Sequence, residues 1–443
     1  MRFIKDLYLS NRFFTLLVSC GVLFVVSFFL PLLYGSAKAI FAVFIVLTLI
    51  DYLSVFLLKE GFFARREMAE KLSNGSENEI YLYLENRYTF GTYVKVIDEI
   101  PHQFQKRDVL FKETLKSGES KTLRYWLRPV KRGEYEFGAI NIFISTVIGL
   151  TRRRFRFDQG KTVPVYPSFI QMRKYELMAI SNRLPELGIK RIRRIGHSSE
   201  FEQIKTYVAG DDTRTINWKA TARKGSLMVN NYQDEKSQQV YCIIDKGRVM
   251  QMPFEGMSLL DYSINASLVL ANSAMIKGDK AGIITFSNKI SSILKADKKP
   301  VHLQHILELL YNQRTQFKES DYDKLFANIR VNINQRSLLV LFTNFESLAA
   351  MRRQLPFLLQ LAKHHLVLTV FFENTEMDEL LNSRPANTEE IYLKTIAEKF
   401  VYDKKLIVKE LNQHGVHTLL TPPAKLTVNT LNRYLEFKAR GLI

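Results

Sequence analysis

Glu200, Asp211 and Asp212 are three of the carboxylates in a short span, residues 193–250, which also holds Arg194, Arg214, Lys219, Arg223, the indole of Trp218 and the turn residue Gly210. Clustered acids can bind Mg²⁺ for phosphate-ester hydrolysis, and an indole can stack on a base or a sugar. Here the bases match or outnumber the acids. That balance favours an internally paired network, or a surface for a partner, over a divalent-cation cage, and structural networks perturb charges just as active sites do. No catalytic residue is assigned. A metal-dependent hydrolase using Glu200, Asp211 and Asp212 stays as the alternative. The eight histidines add no enzyme signal: His364-His365 closes a predicted helix, where imidazoles meet the dipole favourably, and His302 and His305 lie near a helix start.

The elements that would position these groups follow from local pattern. Ser199-Glu200-Phe201-Glu202 fits a capping box, which predicts a helix running to Gly210 with Phe201, Ile204 and Val208 on one face. Asp211-Asp212 would then cap a second helix from Thr213 to Arg223, closed by Gly225. From residue 239 onward strands alternate with helices. Gln239 to Ile244 is an apolar strand ending in Asp245, and Ser258 to Ile276 is predicted as a strongly amphipathic helix. Ala281 to Phe286, Ser337 to Phe342, Leu366 to Phe372 and Val416 to Leu420 are further strands, with a last helix from Thr427. This alternation predicts a doubly wound α/β sheet, whose ligands sit at the carboxyl ends of the strands. Asp245 and Thr343-Asn344-Phe345-Glu346 occupy such ends.

Upstream, short alternating runs between residues 79 and 167, separated by turn residues such as Ser117-Gly118 and Arg132-Gly133, predict a small β-sandwich. The run Arg152-Arg153-Arg154-Phe155-Arg156 would be a solvated strand edge or face phospholipid. Before it, Phe13 to Tyr34 carries no charge, and Ala39 to Leu58 is nearly as apolar; each has about the 20 residues a membrane crossing needs. So short a connection makes them a transmembrane α-helical hairpin. Arg2, Lys5 and Arg12 before it, and Lys59, Arg65, Arg66 and Lys71 after it, put both ends in the cytoplasm by the positive-inside bias, so the soluble domains are expected there. Leu17-Val18-Ser19-Cys20 resembles a lipoprotein cleavage box, but the apolar run continues past Cys20, which argues against lipidation. Asp51 within the second span is expected to pair with a neighbour and not to carry ions, since the first span offers no relay partner.

The whole chain, 443 residues with a formal charge of +19, is long enough for two or three cores. Two cysteines cannot build a disulfide framework. The positive charge, on a chain with membrane spans and no nucleic-acid module, points to an anionic inner leaflet and away from nucleic acid. The expected organisation is multidomain: a hairpin over residues 1–60, a β-sandwich over 61–170, the charged segment over 171–238 and the α/β domain over 239–443.

Arg194, Gly196, Glu200, Phe201, Tyr207, Gly210, Asp211, Asp212, Arg214, Ile216, Trp218, Lys219, Ala222 and Arg223, followed by Asp-x-Gly-Arg-x-Met at Asp245, resemble the signature of the bacterial domain of unknown function 58 family. The resemblance implies a membrane-anchored chain with a fibronectin- or immunoglobulin-like spacer and a von Willebrand A-like domain. It further implies a protein-interaction or adaptor role beside a MoxR-type AAA+ ATPase. The chain carries no Gly-x-x-x-x-Gly-Lys-Ser/Thr loop of its own, so nucleotide energy would come from that partner. In von Willebrand A domains a divalent cation is held by Asp-x-Ser-x-Ser, a distant Thr and a second Asp. Here the corresponding positions read Asp245, Gly247 and Val249, with Asn344 for the second acid and only Ser320 or Asp321 near the Thr. The metal site is degenerate on this reading. Lys246 and Arg248 would repel a metal or replace it by pairing with Asp245, so no tight metal and no cofactor is expected, and only weak Mg²⁺ binding stays open. The rim of Asp245, Lys246, Arg248, Thr343 and Asn344 would instead meet a partner's acid or a phosphate. A sensor of inner-leaflet anionic lipid, driven by the basic surface, is a third possibility.

Overall fold

The structure, a computed structural model, describes residues 6–106, 109–180, 200–208, 211, 213–233, 237–315, 317–374, 377, 381, 385 and 387–443. It divides into two compact units, Met1–Tyr166 and Pro167–Ile443.

The first unit opens with a short strand β1 (Leu7–Leu9), the helices α1 (Asn11–Phe29) and α2 (Tyr34–Phe56), and ten further strands. These are β2 (Phe62–Met68), β3 (Leu72–Ser73), β4 (Asn78–Asn86), β5 (Thr92–Asp98), β6 (Leu110–Leu115), β7 (Ser120–Leu127), β8 (Gly133–Phe137), β9 (Ile140–Ser145), β10 (Thr151–Phe157) and β11 (Lys161–Tyr166). Both helices are long and apolar enough to cross a membrane. The strands form sheets ordered β1-β10-β9-β5-β6, β2-β4-β7 and β3-β11-β8, which enclose one apolar core. Period-two alternation drives this: β4 buries Ile80, Leu82 and Leu84 and turns Glu79, Tyr81 and Tyr83 outward.

The helical hairpin is stitched to the sandwich. β1, just ahead of α1, pairs antiparallel with β10, Leu7 opposite Arg153, and Ser10 caps α1 by accepting from the Phe13 amide. Asp51, fully buried near the end of α2, accepts hydrogen bonds from the Thr146 hydroxyl and from the amide and hydroxyl of Thr151, the last two at 2.6 and 2.9 Å. Its carboxylate therefore meets protein and not hydrocarbon. The Arg153 guanidinium donates to the carbonyls of Val55, Leu58 and Lys59 at 2.8, 2.5 and 3.2 Å, satisfying acceptors that a helix C-terminus leaves free. Tyr88 adds a 2.6 Å hydrogen bond to Val55 O. The basic run in β10 is thus no simple solvated edge, because Arg153 closes a helix. Arg66 likewise leaves the set of membrane-flanking bases: it is buried in the sandwich against Asp98, with side-chain exposures of 1% and 0%. Cys20 is buried between the helices among Phe13, Phe41 and Phe44.

The second unit begins with α3 (Phe169–Ile180), followed by β12 (Glu200–Thr206), α4 (Trp218–Lys224) and β13 (Met228–Gln233). Then come β14 (Gln239–Asp245), the small hairpin β15 (Pro253–Phe254) and β16 (Met257–Ser258), α5 (Leu259–Ile276), β17 (Lys280–Phe286), β18 (Ile290–Asp297), α6 (Pro300–Tyr311) and α7 (Tyr322–Asn332). β19 (Leu338–Phe342), α8 (Leu348–His364), β20 (Leu366–Phe372), α9 (Thr388–Gln413), β21 (His417–Thr421) and α10 (Leu426–Ala439) complete it. The main sheet runs β18-β17-β14-β19-β20-β21, parallel except for the edge strand β18. Helices cover both faces. Val240, Cys242 and Ile244 of β14 join the core under α5 and α10, while Tyr241 and Ile243 join the core under α7 and α8. α5 is not the strongly amphipathic helix expected from Ser258 to Ile276, since nearly every residue from Leu259 to Ala274 is buried. The chain winds outward from β14 through β17 and β18, then returns to add β19, β20 and β21 on the other side. The strand order consequently reverses between β14 and β19, which opens a crevice at their carboxyl ends.

Where a capping-box helix was expected from Ser199 to Gly210, Glu200–Thr206 is a strand instead, and Ser199 and Gly210 lie outside the described residues. β12 pairs antiparallel with β13 as a separate two-stranded ribbon, Ile204 opposite Asn230. Ile204 and Val208, which would have lined the buried face of that helix, are exposed. The second helix exists but is shorter, starting at Trp218 with Asn217 as its cap; Asn217 Oδ1 accepts from the Ala220 amide at 3.0 Å. Gly225 closes it at φ 71°, a left-handed conformation that favours glycine.

Candidate functional site at the strand ends

The crevice between β14 and β19 is built around Asp245, the last residue of β14 and only 1% exposed. Its Oδ1 accepts from the Gly247 amide at 2.8 Å and from the Ser320 hydroxyl; its Oδ2 accepts from the Thr343 hydroxyl at 2.8 Å. Tyr322, at the start of α7, shares a hydrogen bond of 2.8 Å with Thr343 Oγ1. Burial pushes the Asp245 carboxyl above the usual carboxylate range, and Ser320, Gly247 and Thr343 oppose that rise. Gly247 has a specific use here: a Cβ at that position would collide with the Ser320 hydroxyl. Losing the side chain at 247 makes room for Ser320 to reach the carboxylate from a loop distant in sequence.

Arg248 does not pair with Asp245. Its guanidinium turns to Glu346 at 3.4 Å, an exposed pair of little energetic weight. Lys246 is buried, and its amide donates to Phe286 O. Asn344 Oδ1 accepts from the amine of Lys404, which α9 delivers from the far side of the crevice. Burial pushes the Lys404 amine down to about 8, with Glu346 acting in the opposite sense. Asp245, Arg248, Val249, Ser320, Tyr322, Asn344 and Glu346 line a cavity of about 280 Å³. Beside it an apolar groove of about 220 Å³ runs past Phe254, Phe372, Phe400 and Leu420, and shares Asn344, Phe345 and Glu346 with the cavity.

Sequence reasoning placed Asp245, Thr343 and Asn344 together, and the structure does the same. It missed Tyr322 and Lys404, and it offered Ser320 only as a doubtful substitute. The glycine at 247 was the available signal, because the space it vacates has to be filled.

Of the signature residues, Arg194, Gly210 and Asp212 lie outside the described residues, and Glu200 and Arg214 are placed by their backbone alone. Asp211 accepts from Lys205 Nζ at 2.9 Å and from the Val208 amide at 3.0 Å, and Lys205 holds its carboxyl below the usual range. Glu200 starts β12 and Lys205 lies near its end, roughly 16 Å along the strand. Trp218 is 70% exposed, and Lys219 and Arg223 are exposed beside it on α4.

Two outcomes follow for the crevice. A carboxylate buried among neutral donors costs stability whenever it is ionised. Its raised folded-state pKa means the cost is present at neutral pH, shrinks as pH falls through that pKa, and is gone below the ordinary 3.8. Asp245→Asn keeps the acceptor for Gly247 and Ser320, and Thr343 can reorient to accept from the new amide. Asp245→Asn is expected to raise the melting temperature at pH 7, by about 2–4 °C per kcal/mol recovered, and to match the unchanged protein in acid; scanning calorimetry at several pH values checks this. For Lys404, an NMR titration of the amine is expected to show a midpoint near 8. Glu346→Gln should move it lower still, because Glu346 favours the charged form.

Residues 203–383 match the family described as "Protein of unknown function DUF58". The chain is similar to the "Uncharacterized protein YeaD" of Bacillus subtilis, 28% identical over 193 residues, which is 43% of this chain. It spans 45% of that relative's length. Among solved structures, "conserved hypothetical protein BatB" from Bacteroides thetaiotaomicron is similar at 10% identity and a TM-score of 0.31, covering 46% of this chain and all of that one. The "ASH / PapD-like domain of human CEP192" is similar at 14% identity and a TM-score of 0.18, over 24% of this chain and 83% of the domain. Likenesses that slight assign nothing. The match over residues 203–383, together with the relative in Bacillus, makes the chain similar in part to the DUF58 family of proteins of unknown function.

Proposed function

We propose that the chain is a membrane-tethered docking protein whose strand-end face, centred on Asp245, takes up a protein partner. One observation carries this reading: a carboxylate is kept buried among neutral donors at the point where the sheet order reverses, beside an apolar groove. A buried charge that destabilises the fold is retained where binding uses it. The sheet order, the aspartate at the end of β14 and the two hydroxyls aimed at it support a von Willebrand A-like domain with an altered metal site.

On this reading α1 and α2 cross the bilayer and the soluble parts lie in the cytoplasm, an orientation supported by the bases flanking the hairpin once Arg66 is set aside. The same bases favour anionic lipid of the inner leaflet. The family resemblance points to an AAA+ ATPase of the MoxR type as the partner, with this chain as adaptor in complex assembly or maturation.

The test is a crosslinking pull-down from native membranes with the intact chain, Asp245→Asn and Trp218→Ala. A specific protein partner lost with Asp245→Asn, and retained with Trp218→Ala, supports docking at the crevice. Capture unchanged by Asp245→Asn removes the crevice from consideration.

A further inference from the structure

We infer that the Asp245 cavity recognises a partner's arginine side chain, with apolar side chains next to it in the partner filling the adjoining groove. This deepens the docking reading and rests on it. The argument begins with charge. The cavity is lined by the three carboxylates of Asp245, Glu319 and Glu346 and by the two guanidiniums of Arg248 and Arg353. Arg248 faces Glu346 at 3.4 Å, Arg353 faces Glu319 at 3.3 Å and the Lys404 amine is held by Asn344, so the cations around the cavity are engaged elsewhere and Asp245 has no cationic partner among the described residues. A buried carboxylate bonded only to neutral donors is complementary to a cation.

Hydrogen-bond capacity argues the same way. A carboxylate accepts about four hydrogen bonds. Asp245 receives three among the described residues, two on Oδ1 and one on Oδ2, and all come from neutral groups. The open direction on Oδ2 suits an N–H donor of a cation, the kind of pair that is strongest when desolvated. A hard divalent cation needs six or more oxygen ligands. Here a single carboxylate lies at the floor, and the Asn344 oxygen is already taken by the Lys404 amine.

Shape completes the case. Phe317 stands exposed at the cavity's mouth and Phe345 forms its wall toward the groove, faces on which a planar guanidinium stacks. Because the groove shares Asn344, Phe345 and Glu346 with the cavity, one short segment reaches both. Arginine followed by leucine is the simplest such segment.

Isothermal titration calorimetry on the full chain in lipid nanodiscs tests this with acetyl-Arg-Leu-Leu-amide and the same peptide carrying citrulline, the neutral isostere of arginine. The arginine peptide is expected to bind about tenfold or more tightly than the citrulline peptide, the gain that a charge-assisted hydrogen bond provides. Asp245→Asn should erase that difference while leaving the melting temperature no lower, and millimolar MgCl₂ should leave it intact. Ala350→Lys, which places an ammonium into the cavity from its rim, should also erase it. Equal binding of the two peptides, no binding of either, an arginine preference that survives Asp245→Asn, or its abolition by Mg²⁺ each overturns the inference. If native crosslinks depend on Asp245 while the peptides fail, docking stands and arginine recognition falls; the reverse pattern sinks docking at the crevice alone.

Discussion

Asp98→Ala is expected to destabilise the β-sandwich by about 3–5 kcal/mol, the cost of leaving one member of a buried ion pair uncompensated. Asp98 accepts from Arg66 through both the Nε and Nη2 groups, the former at 3.1 Å, and from Tyr125 at 2.5 Å. Removing it strands a guanidinium whose remaining partners are the carbonyls of Gly138 and Gln159. It also leaves a tyrosine hydroxyl inside the core, one whose ionisation burial already suppresses. Replacing the whole set at once, as Arg66→Met, Asp98→Leu and Tyr125→Phe, should lie much closer to neutral, because no unpaired polar group remains. Denaturant unfolding followed by Trp126 fluorescence, in a Trp218→Phe background so that the signal comes from the sandwich, measures both. A loss of less than about 1 kcal/mol for Asp98→Ala would mean that the pair is solvated in the native ensemble.

The second large effect concerns Asp51. Substituting alanine removes the acceptor for two hydroxyls and one amide in a fully buried position. The hydroxyls can turn elsewhere, but the Thr151 amide cannot. With about 1–3 kcal/mol for a buried donor left unmet, the join between α2 and β10 is expected to weaken by about 1–3 kcal/mol. Hydrogen exchange reads this directly: protection of the Thr151 amide and its β10 neighbours should fall on the order of 10- to 10²-fold, while that of β4 in the opposite sheet stays unchanged. Asp51→Asn, which keeps one acceptor oxygen, should recover part of the protection. Equal protection in Asp51→Ala would show that the carboxylate does not hold the helix to the sandwich.

These two sites show where sequence reasoning reaches its limit. Elements governed by local pattern were legible: the apolar runs of α1 and α2, the alternation in β4, the buried strands β14, β19 and β20, and Asp245 at a strand end. What escaped depended on partners remote in sequence. Asp98 lies 32 residues from Arg66, Ser320 lies 75 from Asp245, and Lys404 lies 60 from Asn344. No local periodicity reports such pairings. The expected helix from Ser199 to Gly210 failed for a related reason, since its capping signal and three- and four-residue apolar spacing favour a helix, but β13, more than twenty residues on, pairs with Glu200–Thr206 in a ladder interrupted once, between Phe201 and Gln203. α5 was misjudged in the opposite direction. It was expected to be strongly amphipathic, yet the structure buries its serines and asparagines almost throughout, with Ser263 donating to Leu259 O at 2.9 Å and Asn265 accepting from the Ser168 amide at 2.9 Å.

The one acid at the floor of the crevice is held by hydroxyls that donate to it, and Cys242, the cysteine of β14, is pushed up to about 12 by burial and faces the core. Such a thiol is inert as a nucleophile. On the docking reading proposed above, a fixed acceptor, a small cavity and an apolar groove on the sheet serve recognition.

Site-specific photo-crosslinking in native membranes tests the docking claim most directly. A photoreactive residue replaces Phe317 at the mouth of the cavity, Met252 at the lip of the groove, or Val331 near the far end of α7, all three exposed in the structure. The account predicts one shared protein adduct from Phe317 and Met252, absent from Val331 and lost when Asp245→Asn is added. The same adduct from Val331, or its persistence in Asp245→Asn, would contradict it.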